Sequence, residues 1–216
     1  MRALAFVLVL KALCALDRAR LRLRMLRQPG LEVHPQAGSN FASAHYSLAP
    51  GARLRIGSRA ATDRRRGALR FVLGRNAVVD IGENAWLRTE AGPVTIFAFS
   101  GAHIDIGPEA FLNGAHVSAK RCVRFGPHSS IGMGSRVFDS DQHDLDVDHP
   151  EQTAPVHIGA HVWIAADTTV LRGVTIGEHS VVGTRSLVTD DIPPHTLAFG
   201  IPARPRGRVG DRVGVR

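Results

Sequence analysis

Aliphatic residues recur every six positions in the C-terminal half of the chain. The repeat comprises Ile158, Ile164, Val170, Ile176, Val182 and Val188. Four positions after these residues stand β-branched or small ones, namely Val162, Thr168, Val174, Ser180 and Ser186. The pattern indicates short strands that each point one aliphatic residue inward, with small or turn-forming residues at the corners. A six-residue repeat predicts an all-β fold, the parallel β-helix, with three repeats in each coil.

Fainter copies of the repeat lie upstream. They comprise Ile81 and Leu87, then Ile106, Leu112 and Ser118, then Phe125, Ile131 and Val137. Before Arg70 the pattern fails among Gly, Pro and Arg residues, so we expect degenerate coils there. The β-helix domain is therefore predicted over residues 31–200, and a basic C-terminal tail over residues 201–216.

The repeat breaks once in the C-terminal half. Val137 and Ile158 are 21 positions apart where one repeat needs six, so about 15 residues must loop out of the coil. This loop, predicted over residues 138–157, begins with the sequence DSDQHDLD, which holds one imidazole among four carboxylates. Loops held on a rigid scaffold often carry chemistry, so we predict an active-site loop.

Charge and cysteine content narrow the class of protein. The formal net charge of the 216 residues is +8, and Lys11 and Lys120 are the only lysines, so arginine supplies most of the positive charge. Arginine suits phosphate groups, but the sequence has no zinc-finger or RNA-binding signature, and we expect no nucleic-acid partner. Cys14 and Cys122 form no C-x-x-C pair, which argues against a disulfide scaffold and fits a reducing compartment.

The N-terminus predicts a helix over residues 1–30 that runs from apolar to basic. The 14 residues from Ala3 to Leu16 are apolar except for Lys11, and a spanning helix needs about 20. Five arginines follow, and Pro29-Gly30 ends the segment. Two interpretations stay open: residues 1–28 lie on an anionic membrane surface, or the helix packs on the protein's own body or on a neighbouring subunit.

The loop sequence and the segment APVHIGAHVWIAADTTVLRGVTIGEHSVVGTRSLVTDDIPPHTLAFGIPARP resemble the hexapeptide-repeat acyltransferases. The branch they are most similar to is that of sugar and polysaccharide O-acetyltransferases related to galactoside and maltose acetyltransferases. The resemblance covers roughly residues 106–206. It implies a left-handed parallel β-helix, a homotrimer with active sites between subunits, an acetyl-CoA donor and a hydroxyl acceptor on a sugar or polysaccharide precursor. We expect a cytoplasmic protein, and the basic N-terminus favours an acceptor at the inner face of the membrane.

The resemblance also implies roles for individual residues. His143 matches the general base of the family, Asn113 matches an asparagine lining the same site, and Trp163 matches a tryptophan beside the acceptor pocket. Small residues that let the pantetheine arm approach the backbone correspond to Ala166 and Thr184, and positions near the distal part of CoA correspond to Thr189 and Arg204. Two departures concern charge, because Asp190 stands where many members have lysine and Arg185 stands where glycine is usual. Arg185 would restore the missing positive charge.

The residues themselves suit this chemistry. A neutral imidazole has a pKa near 6.5 and can accept the proton of an attacking hydroxyl at neutral pH. The second ring nitrogen of His143 needs an acceptor, and Asp139, Asp141 or a backbone carbonyl would supply one. Asp139 and Asp141 are also candidates to position the acceptor. No cysteine lies in the motif, so we expect direct transfer within a ternary complex and no metal. His149 is the competing base in the same loop.

Two other functions remain open. His161 and His179 are 18 residues apart, which is one coil, so they should stack about 4.8 Å apart, with His128 in the same slot of its repeat. Three histidines would suit a zinc enzyme similar to the gamma-class carbonic anhydrases. The other interpretation of this column is a row of solvated histidines at an outward corner. The remaining alternative is a non-catalytic β-helix that binds sugar or a partner chain.

Overall fold

The computed structural model describes residues 2–215, which form one α-helix, α1 (Arg2–Arg27), and a stack of three-sided coils. Sheet 1 consists of β1 (Leu31–Val33), β3 (Arg53–Ile56), β6 (Val78–Ile81), β9 (His103–Ile106), β12 (Cys122–Phe125), β15 (Val156–Ile158) and β18 (Thr175–Ile176). Sheet 2 consists of β4 (Ala61–Thr62), β7 (Trp86–Arg88), β10 (Phe111–Asn113), β13 (Ser130–Ile131), β16 (Trp163–Ile164), β19 (Val181–Val182), β21 (Thr196–Gly200) and β22 (Ala203–Arg208). Sheet 3 consists of β2 (His45–Leu48), β5 (Leu69–Leu73), β8 (Val94–Ala98), β11 (His116–Ala119), β14 (Arg136–Phe138), β17 (Thr169–Val170) and β20 (Leu187–Val188).

The chain passes through sheets 1, 2 and 3 in turn and forms a left-handed parallel β-helix, as predicted. From β1 to β21 the strands pair in parallel between neighbouring coils, so that Ile158 lies beside Ile176 and Ile164 beside Val182. The aliphatic residues of the six-residue repeat point inward and are buried throughout the segment from β15 to β20. Each fully buried aliphatic side chain stabilises the fold by roughly 1.5–3 kcal/mol, so the repeat itself builds the core.

The coils before residue 70 are more regular than the sequence predicts. Leu54 pairs with Val79, and Val79 pairs with Ile104, so these early coils are 25 residues long instead of 18. Their longer strands hide the six-residue repeat but keep an alternation of buried and exposed residues. The irregularity is confined to the first coil, where a 3₁₀ helix (Ser39–Ser43) takes the place of a strand of sheet 2.

The corner between sheets 1 and 2 holds a column of residues in the left-handed region of backbone space. Its members, at φ values between 53° and 59°, are Arg59, Asn84, Glu109, His128, His161, His179 and His195. The four histidine rings stack face to face, with centroids 4.6 to 4.9 Å apart, which confirms the predicted spacing of His161 and His179. A left-handed residue with a β-carbon costs roughly 1–2 kcal/mol, and stacking between successive coils offsets part of that cost.

α1 closes the N-terminal end of the β-helix with its second half. Leu21 is buried against the first coil, and the buried carboxylate of Asp17 pairs with Arg64. Arg18 and Arg24 donate to the carbonyl oxygens of Ala37 and Ala44. Within residues 2–215 there is no helix of the length and apolar character needed to cross a membrane.

The C-terminal end is closed by a strand within the segment expected to be a basic tail. β22 pairs antiparallel with β21, so residues 203–208 belong to sheet 2. Beyond this strand the chain returns over the histidine column, where the backbone N–H of Val209 donates to the carbonyl of His195 and that of Arg212 to Nδ1 of His179. The basic tail therefore begins as ordered structure.

Candidate active site

The predicted loop leaves the β-helix between β14 and β15 and spans residues 139–155. Its two ends are held together by an antiparallel bridge between Ser140 and Thr153. The backbone N–H of Ala154 donates to the carbonyl of Asp139 at 2.9 Å, and that of Asp141 donates to the carbonyl of Gln152 at 3.1 Å. The loop is therefore a protrusion with a narrow, hydrogen-bonded base, and the exposed His143 lies beyond that base.

Asp139, which was predicted to orient His143 or to position the acceptor, is buried at the base of the loop. The side chain is fully buried, and its carboxylate accepts from the backbone N–H groups of Lys120, Arg121 and Cys122, each at 2.7 Å. Hydrogen bonds to a charged acceptor are among the stronger ones in proteins. Asp139 thus fixes the turn between β11 and β12 beneath the loop.

Lys120, which the sequence pattern did not assign to the site, ties the loop to this turn. Its ammonium donates to the carbonyl of Gln142 at 3.2 Å and to the carboxylate of Glu151 at 2.6 Å. The same ammonium lies 4.8 Å from the ring centroid of Phe99. Because Gln142 directly precedes His143, Lys120 fixes the backbone that carries the imidazole. The signal in the sequence that could have pointed to Lys120 is that it is one of only two lysines in a chain whose other basic side chains are mostly arginines.

The other three acidic side chains of DSDQHDLD also have partners within the chain. Asp141 pairs with Nε of Arg172 at 2.6 Å, and this hydrogen bond is the main reason that its pKa lies below its ordinary value. Asp144 accepts from the backbone N–H of Glu151, and Asp146 accepts from the ring of His149. Within residues 2–215, neither Asp139 nor Asp141, the two carboxylates predicted to orient His143, forms a hydrogen bond to its ring.

His149 differs from His143 in having a carboxylate beside its ring. Nδ1 of His149 lies 2.7 and 2.9 Å from the two oxygens of Asp146, and this contact is the main cause of the lowered pKa of Asp146. Such a pair fixes the orientation of an imidazole. Both histidines are exposed, so burial does not distinguish them as candidate bases.

The residues predicted to contact the donor lie at a different corner, between sheets 2 and 3. Ala166, Thr184 and Arg185 occupy equivalent turns of successive coils, as the pairing of Ile164 with Val182 shows. The neighbouring backbone is tightly packed, because a β-carbon on Gly132 would lie 2.6 Å from the backbone nitrogen of Ala166. Ala166 is half-buried and Thr184 is exposed, so their small side chains leave the backbone of this corner open to close approach.

Asn113 ends β10 at the same corner. Its side-chain Oδ1 is buried, and among residues 2–215 it has no hydrogen-bond partner. A buried amide oxygen without a donor costs roughly 1–3 kcal/mol, so such groups are uncommon in folded proteins. Among the predicted site residues, Asn113 therefore has a buried acceptor that lacks a hydrogen-bond donor.

Thr189 and Arg204 meet at Asp190. The hydroxyl of Thr189 donates to Asp190 at 2.7 Å, and Nη1 of Arg204 donates to the same carboxylate oxygen at 2.5 Å. Both hydrogen bonds lower the pKa of Asp190, and the one from Thr189 has the larger effect. Arg204 is thus partly neutralised by the acidic residue. Arg185, which is 82% exposed, lies 4.0 Å from Asp167 and is held less closely.

Trp163 lies on the outer face of sheet 2, and 44% of it is exposed. The guanidinium of Arg212, from the C-terminal segment, lies 5.5 Å from the centre of its ring. A cation over an indole face is attracted by the ring's quadrupole. The tryptophan therefore presents a surface that is flanked by positive charge.

The histidine column does not have the geometry of a zinc site. Its rings are parallel within 6° to 9°, one strand spacing apart. Two nitrogens bound to one zinc ion at about 2.05 Å lie roughly 3.3 Å apart in a tetrahedral site, which parallel rings at this spacing do not reach. In the part of the chain covered by residues 2–215, no group of three or more His, Cys, Asp or Glu is placed to hold a metal ion. Burial is the main cause of the lowered pKa of His161, followed by its neighbours His128 and His179.

One chain does not bring the two halves of the predicted site together. The loop with His143 leaves at the corner between sheets 3 and 1, whereas Asn113, Ala166, Thr184 and Arg185 lie near the corner between sheets 2 and 3. One whole side of the triangular coil separates these corners. At about 3.3 Å for each residue, a side of roughly six residues measures up to about 20 Å.

Comparison with known proteins agrees with the repeat and the coil geometry. The family model for the bacterial transferase hexapeptide (six repeats) matches residues 155–190. Around this repeat the chain is similar to the galactoside O-acetyltransferase of Escherichia coli (strain K12), with 32% identity over 139 residues. The match covers 61% of this chain and 64% of the relative, so it spans just under two thirds of that protein.

Solved structures show the same fold beyond the hexapeptide repeat. The polysialic acid O-acetyltransferase OatWY superposes with a TM-score of 0.57 at 19% identity, over 76% of this chain and 88% of that one. The N-acyltransferase AntD of Bacillus cereus, as a single-residue mutant in complex with a dTDP-sugar and coenzyme A, superposes with a TM-score of 0.53 at 15% identity. That match covers 88% of this chain and 91% of AntD. At these identities the likeness concerns the left-handed β-helix itself.

Proposed function

We propose that this protein is an O-acetyltransferase that moves an acetyl group from acetyl-CoA to a hydroxyl of a sugar or polysaccharide precursor. The observation that carries the proposal is the single large loop, which holds an exposed histidine on a hydrogen-bonded base in a chain similar to galactoside O-acetyltransferase. The names of the similar proteins support both the acetyl transfer and the saccharide acceptor. One is called a galactoside O-acetyltransferase and another a polysialic acid O-acetyltransferase. We propose that the protein works in the cytoplasm, because Cys14 and Cys122 are both free thiols, as is usual in a reducing compartment.

The proposed reaction is a direct transfer. The acceptor oxygen attacks the thioester carbonyl, and an unprotonated ring nitrogen of His143 takes the hydroxyl proton as the new C–O bond forms. The tetrahedral intermediate collapses with loss of the C–S bond, and the proton passes from the imidazolium to the leaving sulfur, which yields free CoA. Asn113 lines the site, and its amide is a candidate contact for the thioester oxygen or the acceptor. The corner at Ala166 and Thr184 would hold the pantetheine arm.

We further propose that the working unit is a homotrimer. The loop corner and the corner with Asn113 are a full side apart in one chain, so a neighbouring subunit has to bring one to the other. Side-by-side packing of triangular coils around a threefold axis places unlike corners against each other. An assembly of this kind would also supply the missing partners of His143 and of Asn113 Oδ1.

The function is tested by an acceptor screen that reads thiol release from acetyl-CoA. Free sugars, oligosaccharides and nucleotide- or lipid-linked sugars are compared with a reaction without acceptor, and products are checked by mass for one added acetyl group. We expect thiol release well above background with at least one hydroxyl-bearing saccharide. Binding of such saccharides without any acetylation would favour a non-catalytic β-helix instead.

Replacing Asp190 by asparagine should strengthen donor binding. The change removes the negative charge that Arg204 contacts at 2.5 Å and leaves the guanidinium available to a phosphate of CoA. We expect the KM for acetyl-CoA to fall by about threefold with little change in kcat, since an exposed ion pair contributes modestly. Asp211→Asn, which alters an exposed aspartate near His195, is the matched control. An unchanged KM in Asp190→Asn would show that Arg204 does not contact the donor.

A further inference from the structure

The first half of α1 extends beyond the body of the protein with apolar side chains all around it. The side chains of the five consecutive residues from Phe6 to Leu10 are each 43% to 64% exposed. Five residues cover more than one full turn of an α-helix, so no face of this segment lies against the β-helix. A helix that is apolar on every face is normally surrounded by an apolar medium.

The second half of α1 is basic where it meets the first coils. Five arginines follow one another along it, at positions 18, 20, 22, 24 and 27, and three more lie in the nearby turn at positions 64–66. A cavity of about 580 Å³ between the helix and these coils is lined by Arg20, Arg24, Arg64, Arg66, His45 and Tyr46, with Asp17 as its acidic residue. Asp17 already pairs with Arg20 and Arg64, and Arg24 lies over the ring of Tyr46. The cavity therefore offers a surplus of guanidinium groups to an anion.

We infer that α1 inserts its first half into an anionic phospholipid membrane, while the arginines at its base bind the anionic headgroups. The stretch from Ala3 to Leu16, which is apolar except for Lys11, is about 21 Å long as a helix, and this is less than the roughly 30 Å of a hydrocarbon core. A segment of this length can enter the hydrocarbon core but is too short to cross it. Arginine side chains just outside the acyl region meet the phosphate layer, where each is attracted to anionic lipid.

A second copy of this chain fits the same surface less well. A single helical neighbour would cover one face of the exposed turn and leave the others in water. Pairing of the helices would also bring two clusters of arginines together, and like charges repel. Lipid covers all faces at once and supplies the opposite charge. This inference concerns a different surface from the acetyl-transfer site and does not rest on the proposed activity.

The insertion of the helix is tested by vesicle flotation of the full-length protein. We expect the protein to float with vesicles of phosphatidylcholine and phosphatidylglycerol, and less with phosphatidylcholine alone. Val9→Asp should lower binding to both by about a hundredfold, because a charged residue in the acyl region is strongly disfavoured. Val213→Asp, which alters another exposed valine in the C-terminal segment, should bind as the unaltered protein does.

The arginine cluster is tested separately. The double variant Arg20→Gln and Arg66→Gln should lower binding to the anionic vesicles by about fivefold for each arginine and leave binding to neutral vesicles nearly unchanged. Arg206→Gln with Arg208→Gln removes the same charge from the distant strand β22 and should have little effect. Equal loss in both double variants would show that net charge alone, and no phosphate site at the helix, drives the binding.

Cys14 allows a direct measurement, since it is exposed on the same half of α1. In a Cys122→Ser background, an environment-sensitive fluorophore on Cys14 should shift to the blue when vesicles are added. A fluorophore on Val213→Cys, in a chain that also carries Cys14→Ser and Cys122→Ser, should not shift. Three results would overturn the inference: no flotation of the unaltered protein, full binding by Val9→Asp, or an unshifted fluorophore. If Val9→Asp instead lowers the molar mass in light scattering without changing flotation, the helix is covered by a second copy.

Discussion

Replacing His143 by alanine is expected to lower kcat for acetyl transfer by about 10²- to 10⁴-fold. A positioned general base contributes this range of rate, and the loss falls on kcat because the imidazole acts on the proton in the transition state. The side chain is exposed, so its removal should leave the melting temperature unchanged. The measurement is thiol release at saturating acetyl-CoA and acceptor, with the melting curve of each variant taken alongside.

His149→Ala is the matched control for this prediction. It removes an imidazole from the same loop, and we expect it to change kcat by less than about threefold, because its ring is engaged by Asp146. The two variants decide between the two histidines. A large loss in His149→Ala together with a small one in His143→Ala would assign the proton transfer to the pair of His149 and Asp146. Equal rates in all three proteins would remove a histidine base from the mechanism.

Replacing Asp139 by asparagine should damage both stability and catalysis. The carboxylate is buried and accepts hydrogen bonds from three backbone N–H groups at 2.7 Å. An amide has only one oxygen to accept these hydrogen bonds, and its NH₂ group is a donor that would face a backbone N–H group. We expect the free energy of unfolding to fall by about 3 kcal/mol, because hydrogen bonds to a buried charged group are lost without replacement. Chemical denaturation measures this change.

The effect of Asp139→Asn on the loop has its own measurement. Faster amide hydrogen exchange at residues 120–122 would report the opened turn, and kcat should fall at temperatures where the variant is still folded. Asp148→Asn changes an exposed acid in the same loop and should leave stability and exchange as they are. If Asp139→Asn unfolds like the unaltered protein and keeps its rate, the turn does not support the loop.

The sequence predicts the later coils well, and for a definite physical reason. From β15 onward each coil contains three short strands of similar length, so every inward residue falls on the six-residue repeat. The 25-residue coils near the N-terminus bury residues by the same alternation, but their longer strands and corners remove the fixed interval. A regular fold was therefore present where the pattern alone indicated irregularity.

The candidate site likewise has features that the sequence predicts and features that it does not. The loop and the histidine column could be predicted because they depend on counting positions along a repeat. The burial of Asp139 and the contacts of Lys120 could not, since they join residues 17 to 31 positions apart in neighbouring coils. The alternation of apolar and polar residues and the net charge of the loop do not show which of its carboxylates is buried. The pairing of Asp190 with Arg204 belongs to the same class of contacts.

The way α1 caps the first coil bears on how the molecule avoids growing into a fibre. A β-helix ends in strand edges whose free backbone groups match those of any other copy, so uncovered coils can add to one another without limit. Here Arg18 and Arg24 occupy two of the free carbonyl groups of the first coil, and an antiparallel strand closes the other end. The basic half of α1 thus keeps each β-helix finite. A chain shortened by its first 28 residues would lose that protection along with the apolar segment, and end-to-end polymers are the expected product.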